Sequence, residues 1–171
     1  GAVGAGIGGS VSAAAWLGYA LGAAGFLIAV LAPVSGQQAD QSGRRKLSVM
    51  AWTVVTVAVT AALFVVRDDA RYFWLGLLLV AVGSVTFELA EVSYFAMITQ
   101  VSTPATVGRV SGVGWASGYF GGIVLLLAIY AGLIAGDGPT RGVLDVPVED
   151  GLNFRVVALV AAVWFLLLAL P

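Results

Sequence analysis

The 171 residues are 60% hydrophobic and only 10% charged, against roughly 25% charged in an ordinary soluble domain, and this excludes a water-soluble fold. The net charge of −1 has no long basic run behind it, so nothing selects nucleic acid or an anionic surface as a partner. With neither cysteine nor histidine, the chain has no thiolate or imidazole for a zinc centre, a haem, a disulfide or a serine–histidine pair. No cofactor and no metal site are expected.

The charged residues gather in short clusters between apolar runs long enough to cross about 30 Å of hydrocarbon. That segmentation predicts an all-α integral membrane bundle with the lipid bilayer as its main partner. Residues 1–10 are glycine-rich and lack a positive n-region followed by a cleavage site, so they read as a loop rather than a signal peptide. The chain opens without a methionine and stops at Leu170-Pro171 directly after an apolar run, which predicts a fragment of a longer protein.

Five spans follow in order. The first covers about 13–35, with Trp16 and Tyr19 where amphipathic rings prefer the headgroup level, and Pro33 and Gly36 are expected to end it. The second, about 47–66, is rich in Val, Ala and Thr, a strand-like composition in water. In lipid an isolated strand would leave its backbone unsatisfied, so a helix is predicted. The turn Arg67-Asp68-Asp69-Ala70-Arg71 precedes a third span, about 72–98, that opens on Tyr72, Phe73 and Trp74. Residues 99–109, with Pro104 as a breaker, lead to a glycine-rich fourth span, about 110–135. Residues 135–153 stay outside the membrane, and the last span covers about 154–170. Arg44, Arg45, Lys46 and Arg109 fall on one side and Arg67, Arg71, Arg141 and Arg155 on the other; the compact basic run places the 36–46 loop in the cytoplasm.

That loop, Gly36-x-x-x-Asp40-x-x-Gly43-Arg44-Arg45-Lys46, has a plain physical logic. Gly36 can take the left-handed conformation that ends a helix, Gly43 permits a second sharp turn, and Asp40 offers an acceptor to free N–H groups or to an arginine. On composition alone it is a tight polar turn with a charge anchor. Its spacing resembles the signature between the second and third helices of major facilitator transporters. The run Gly108-Arg109-Val110-Ser111-Gly112-Val113-Gly114-Trp115-Ala116-Ser117-Gly118-Tyr119-Phe120-Gly121-Gly122 resembles the fifth-helix signature of the branch related to vacuolar amino-acid effluxers.

The resemblance implies that the five spans are helices two to six of a twelve-helix protein, with the first helix and the C-terminal half missing as partners of this chain. It also implies that Asp40, Arg44 and Arg45, flanked by Gly36 and Gly43, form a gate holding the cytoplasmic side closed. The chain departs from the branch pattern before the fifth helix, where an aromatic-Tyr-Asn-Ala-x-Leu-Pro run is usual. Here Ser93-Tyr94-Phe95-Ala96-Met97-Ile98-Thr99 stands, with Phe95 and Thr99 in place of the Asn and the Pro.

Glu88 and Glu91 need no family argument. Glu88 lies near the middle of the third span, where a carboxylate must face protein, water or a partner rather than lipid. Ser84, Glu88 and Glu91 fall within about a 60° sector of a helix, flanked by Tyr94. A proton relay or substrate contact is one reading, and pairing with an arginine of a neighbouring helix that merely locks the bundle is the other. Thr53, Thr56 and Thr60 share a face and either line a polar path or bond to their own helix carbonyls. Gly108, Gly112, Gly114, Gly118 and Gly122 remove side chains along the fourth span, a pattern suited to close helix packing. No strand precedes them, so they are not a nucleotide loop.

The expected function is secondary transport of a small-molecule substrate by two halves rocking around a midplane site, with no enzymatic activity. A membrane scaffold without a transport cycle is the alternative.

Overall fold

The computed structural model describes residues 12–42 and 45–169. Its long helices are α1 (Ala13–Ser42), α2 (Arg45–Ala62), α3 (Phe73–Val101), α4 (Val107–Ile129) and α5 (Leu152–Ala169). Among the described residues, five spans are long and apolar enough to cross a membrane: Ala13–Gln37, Arg45–Val65, Ala70–Ile98, Val107–Ile134 and Glu149–Ala169. The Val- and Thr-rich second span is helical, as the need to satisfy every backbone group in lipid dictates.

α1 does not stop at Pro33 or Gly36. It carries Pro33 inside the helix and continues to Ser42. A proline in a membrane helix loses one backbone bond and is tolerated where neighbouring elements relieve the loss. Thirty residues span about 45 Å at 1.5 Å each, so the last turns, Gln37 to Ser42, project past the hydrocarbon and need no breaker at its edge. Gly36 is helical, and a Cβ there would lie 3.7 Å from Val92 Cγ1 of α3. Its smallness serves the packing of α1 on α3 rather than a left-handed stop.

α3 is the central helix, flanked along its length by α1 and α2, while α5 packs on α2. Trp16 of α1 meets Trp74 of α3 edge to face at 5.1 Å, fixing the register of those two ends. Among the described residues, buried side chains are as often polar as apolar: Thr53, Thr56, Thr86, Ser93 and Asn153 beside Ala24, Leu89, Ala90, Leu133 and Ala162. Lipid tails are as apolar as leucine, so burying leucine brings little gain in a bilayer. Helices there associate through small residues and interhelical hydrogen bonds instead.

Those bonds form a seam between α2 and α3. Ser48 and Ser93 share a hydrogen bond at 3.0 Å, and the hydroxyls of Thr56 and Thr86 share one at 2.9 Å. Arg45 Nη1 donates to the Ala96 carbonyl at 2.9 Å, which puts the start of α2 and the end of α3 at one end of the bundle. At the other end Arg155 Nε donates to the Phe64 carbonyl at 2.6 Å and its guanidinium lies 4.5 Å from the centre of the Phe64 ring. The Phe64 carbonyl is free to accept because α2 runs out there in a 3₁₀ turn, Leu63–Val65. Arg67 and Asp150 pair loosely at 3.8 Å at the same end.

α4 passes into a π turn, Tyr130–Ile134, and the following loop folds back on it. The N–H groups of Gly142, Val143 and Leu144 donate to the carbonyls of Ala135, Ala131 and Gly132 at 2.7, 2.9 and 3.2 Å, supplying partners that a helix C-terminus lacks. A short antiparallel pair, β1 (Thr140–Arg141) with β2 (Val146–Pro147), holds the loop closed.

Candidate functional site

Gly43, Arg44 and the side chain of Asp40 lie outside the described residues, so the proposed gate is represented here by Gly36 and Arg45. Arg45 opens α2 and ties it to α3 through the Ala96 carbonyl. Gly36 sits on the face of α1 against Val92.

On α3, Ser84 turns its hydroxyl to its own helix, donating to the Val80 carbonyl at 2.9 Å. Glu88 and Glu91 are both half-buried and stand three residues apart on one side of the helix. Among the described residues, neither carboxylate has a hydrogen bond or an ion pair. Arg45, Arg67, Arg71, Arg141 and Arg155 stand at helix ends or in loops, where they bond to carbonyls or to Asp69, Asp137 and Asp150, and Arg109 stands in the first turn of α4. Among the described residues, no arginine locks the glutamates.

Tyr94, expected to flank the stripe, is 51% exposed, and its hydroxyl lies 3.5 Å from where a Cβ on Gly114 would stand. It begins a run of rings. Tyr94 and Phe95 are 5.7 Å apart, Phe95 stacks on Trp115 of α4 at 5.7 Å with 18° between planes, and Trp115 meets Tyr119 at 5.8 Å. The run crosses from α3 to α4 on the side that carries Phe95 and, one turn away, Glu91.

The remaining candidates separate into two groups. Thr56 and Thr60 donate to the carbonyls of Trp52 and Thr56 at 2.9 and 2.8 Å, and Thr56 also bonds across to α3; these hydroxyls knit helices together. In α4 a Cβ on Gly108, Gly112, Gly118 or Gly122 would meet nothing within 4 Å among the described residues, and Gly114 alone of the five faces a neighbour, Tyr94. The close approach that this glycine pattern suits is therefore not made to the described part of the chain.

The Ser48–Ser93 and Thr56–Thr86 bonds are invisible in the sequence, because a serine or threonine that bonds its own helix and one that bonds the next look alike there. Phe95 joins the candidate residues only with the fold, although the sequence carries a signal for it. Phe95 stands where the branch has asparagine, and it is the ring that reaches Trp115.

The chain matches the family model described as "Vacuole effluxer Atg22 like" over residues 3–171. It is 28% identical over 158 residues to a Bacillus subtilis (strain 168) protein described as "Uncharacterized MFS-type transporter YxiO", an alignment that covers 92% of this chain and 35% of that protein. The chain thus spans about a third of the length of this relative. No solved structure matches it.

Proposed function

Because the chain belongs to the vacuole effluxer Atg22 like family, we propose that it forms part of a secondary active transporter of the major facilitator type, moving a small solute across a prokaryotic plasma membrane by alternating access. The observation that carries this reading is the pair Glu88 and Glu91, held on the central helix without a partner among the described residues. Carboxylates placed in a span at such cost face a wet route or a ligand. Glu88, Glu91 and Tyr94 are assigned to proton or substrate contact, and Asp40, Arg44 and Arg45 to the cytoplasmic gate. Amino acids are the solute class implied by the resemblance of residues 108–122 to the vacuolar amino-acid effluxer signature.

The test is reconstitution of the full-length protein in vesicles with a solute panel and an imposed proton gradient. Glu88→Gln is expected to shift or abolish the pH dependence of flux, and Asp40→Asn to lower flux by about tenfold or more while the protein still inserts. A wild-type pH profile for Glu88→Gln returns the glutamates to a scaffold role, and unchanged kinetics for Asp40→Asn removes the gate.

A further inference from the structure

Glu88, Glu91 and the ring run lie on one face of the α3–α4 pair. On α3, Phe95 is one helical turn from Glu91 and two from Glu88, so the three side chains leave the helix in nearly the same direction. α4 returns antiparallel after the short connection 102–106, and Phe95 stacks on Trp115. One turn from Phe95 toward Glu91 on α3 therefore runs beside one turn from Trp115 toward Tyr119 on α4, which brings Tyr119 to the level of Glu91. Trp115 is 49% exposed and Tyr119 67%. Gly108, Gly112, Gly118 and Gly122, on the same face of α4 as these two rings, leave the space beside them open.

Two features of this surface point the same way, and they are chemically independent. Glu88 and Glu91 set two carboxyl groups on this face, and the described residues of the spans offer no basic side chain at mid-depth to pair with them. The exposed rings present π faces, which carry the negative end of their quadrupole. A hydrated metal ion would gain little from the rings. A neutral solute would leave the carboxylates unpaired in a poorly screened site. An ammonium carried on carbon uses both, pairing with the carboxylate and lying against tryptophan and tyrosine, where cation–π attraction grows as water is excluded.

Resting on the transport reading above, we propose that Glu88, Glu91, Trp115 and Tyr119 form the half-site that holds the ammonium group of an organic cation. The solute class follows: molecules bearing a quaternary or protonated amine, of which amino acids are one zwitterionic subset whose carboxylate would need a partner elsewhere in the protein. Phe95 and Tyr94 position the set, Phe95 by stacking behind Trp115 and Tyr94 by packing beside Gly114.

The experiment uses the purified full-length protein and three probes, choline, benzyltrimethylammonium and 3,3-dimethylbutan-1-ol, the last being the uncharged carbon isostere of choline. Binding is measured by calorimetry, and flux of the same probes is measured in vesicles. At least one cation is expected to bind about tenfold or more tightly than the isostere. Trp115→Leu and Glu91→Gln are each expected to weaken it by about tenfold, whereas Trp115→Phe keeps most of the affinity. Tyr119→Ala supplies a further arm should Trp115→Leu fail to fold.

Equal binding of isostere and cation, or wild-type cation affinity in Trp115→Leu or Tyr119→Ala, overturns the ammonium assignment. So does coupled flux of neutral or anionic solutes with no cation binding, an outcome that leaves the transport reading standing. Cation binding with the expected variant pattern, but no flux of any solute, supports the half-site and overturns the transport reading instead.

Discussion

The two sides of α3 are built differently. Toward α2 it is closed by a ladder of hydroxyls: Ser93, with no exposed surface, bonds Ser48, and Thr86 bonds Thr56. Toward α4 it is joined by stacked rings at one level, with an open glycine face beside them. A hydrogen-bonded seam has one geometry that satisfies it, because each hydroxyl needs its partner at about 3 Å. Ring stacking and bare glycine faces tolerate sliding and leave room for another occupant. The contrast separates α2 and α3, a rigid pair, from α4, a helix that meets α3 through stacked rings, and it places the glutamates, unpaired among the described residues, at the boundary between the two regimes.

The largest expected effect comes from breaking the grip on the far end of α4. Gly142 has φ +67°, and a Cβ there would overlap the Gly132 carbonyl and the Leu133 amide. Gly142→Val combines an unfavourable left-handed conformation for a β-branched residue with an overlap that backbone must absorb. It is expected to destabilise the full-length protein in detergent by at least about 3 kcal/mol, read as a fall in its thermal unfolding midpoint. A midpoint unchanged from wild type would mean that the loop does not hold α4 at all, and the contrast between a gripped end and a free face would have to be abandoned.

How much of this was legible in the sequence depends on which force sets each feature. The number of spans and the boundary at Tyr72, Phe73 and Trp74 follow from hydropathy and from the interfacial preference of aromatic rings, and both can be read residue by residue. The end of α1 could not be read that way. Pro33 and Gly36 are helix breakers in water, but the helix passes both, since membrane helices keep their backbone bonded wherever neighbours allow it. The folded loop after α4 was also hidden. Its hydrogen bonds depend on Gly136, Gly138, Gly142 and Gly151, with Asp145 and Asp150, all adopting positive φ, and on a π turn that no local pattern announces.

At the candidate site, the positions of Glu88 and Glu91 were evident from helical spacing alone. Their lack of an arginine partner among the described residues, and their place on the side of α3 that carries Phe95, required the fold. The glycines of α4 were visible as a pattern, but the pattern does not say whether the space they leave is filled.

Gly118→Ala decides that question by its sign, at a magnitude of about 1 kcal/mol. Where a Cβ meets open space, alanine is a better helix residue than glycine by roughly that amount. The full-length protein is then expected to unfold at a higher temperature. A lower midpoint would show that another helix fills the face in the whole protein, turning the glycines from the rim of a pathway into a packing surface and weakening the case for a ligand beside Trp115 and Tyr119.

Smaller still is the coupling within the seam. A double-mutant cycle on Ser48→Ala and Ser93→Ala is expected to give an interaction of about 0.6 kcal/mol, the usual size for a hydroxyl pair inside a membrane protein. The same cycle on Ser48 and Tyr119, which share no partner, should give none within error. Equal values for the two cycles would erase the distinction between seam and open side.

The smallest effect concerns the turn that joins α2 to α3 at the end of the seam away from Arg45. Asp69 accepts from the backbone N–H of Arg71 at 2.8 Å and from its guanidinium at 3.0 Å. The guanidinium bonds first, then the backbone bond, hold the Asp69 carboxyl below its ordinary value. With the folded pKa depressed, the contribution of this cap is fully present above the ordinary aspartate value and is lost only as pH falls through the lowered one. Removing the guanidinium in Arg71→Ala while keeping the backbone N–H is expected to move the Asp69 titration part of the way back, measured by carboxyl-carbon NMR, so that acid loosening of the turn begins at higher pH. Both groups face water, where such pairs contribute little, and the stability of the seam at neutral pH should stay as in wild type. An Asp69 titration that does not move in Arg71→Ala would assign the whole shift to the backbone bond and leave Arg71 no part in fixing where α3 begins.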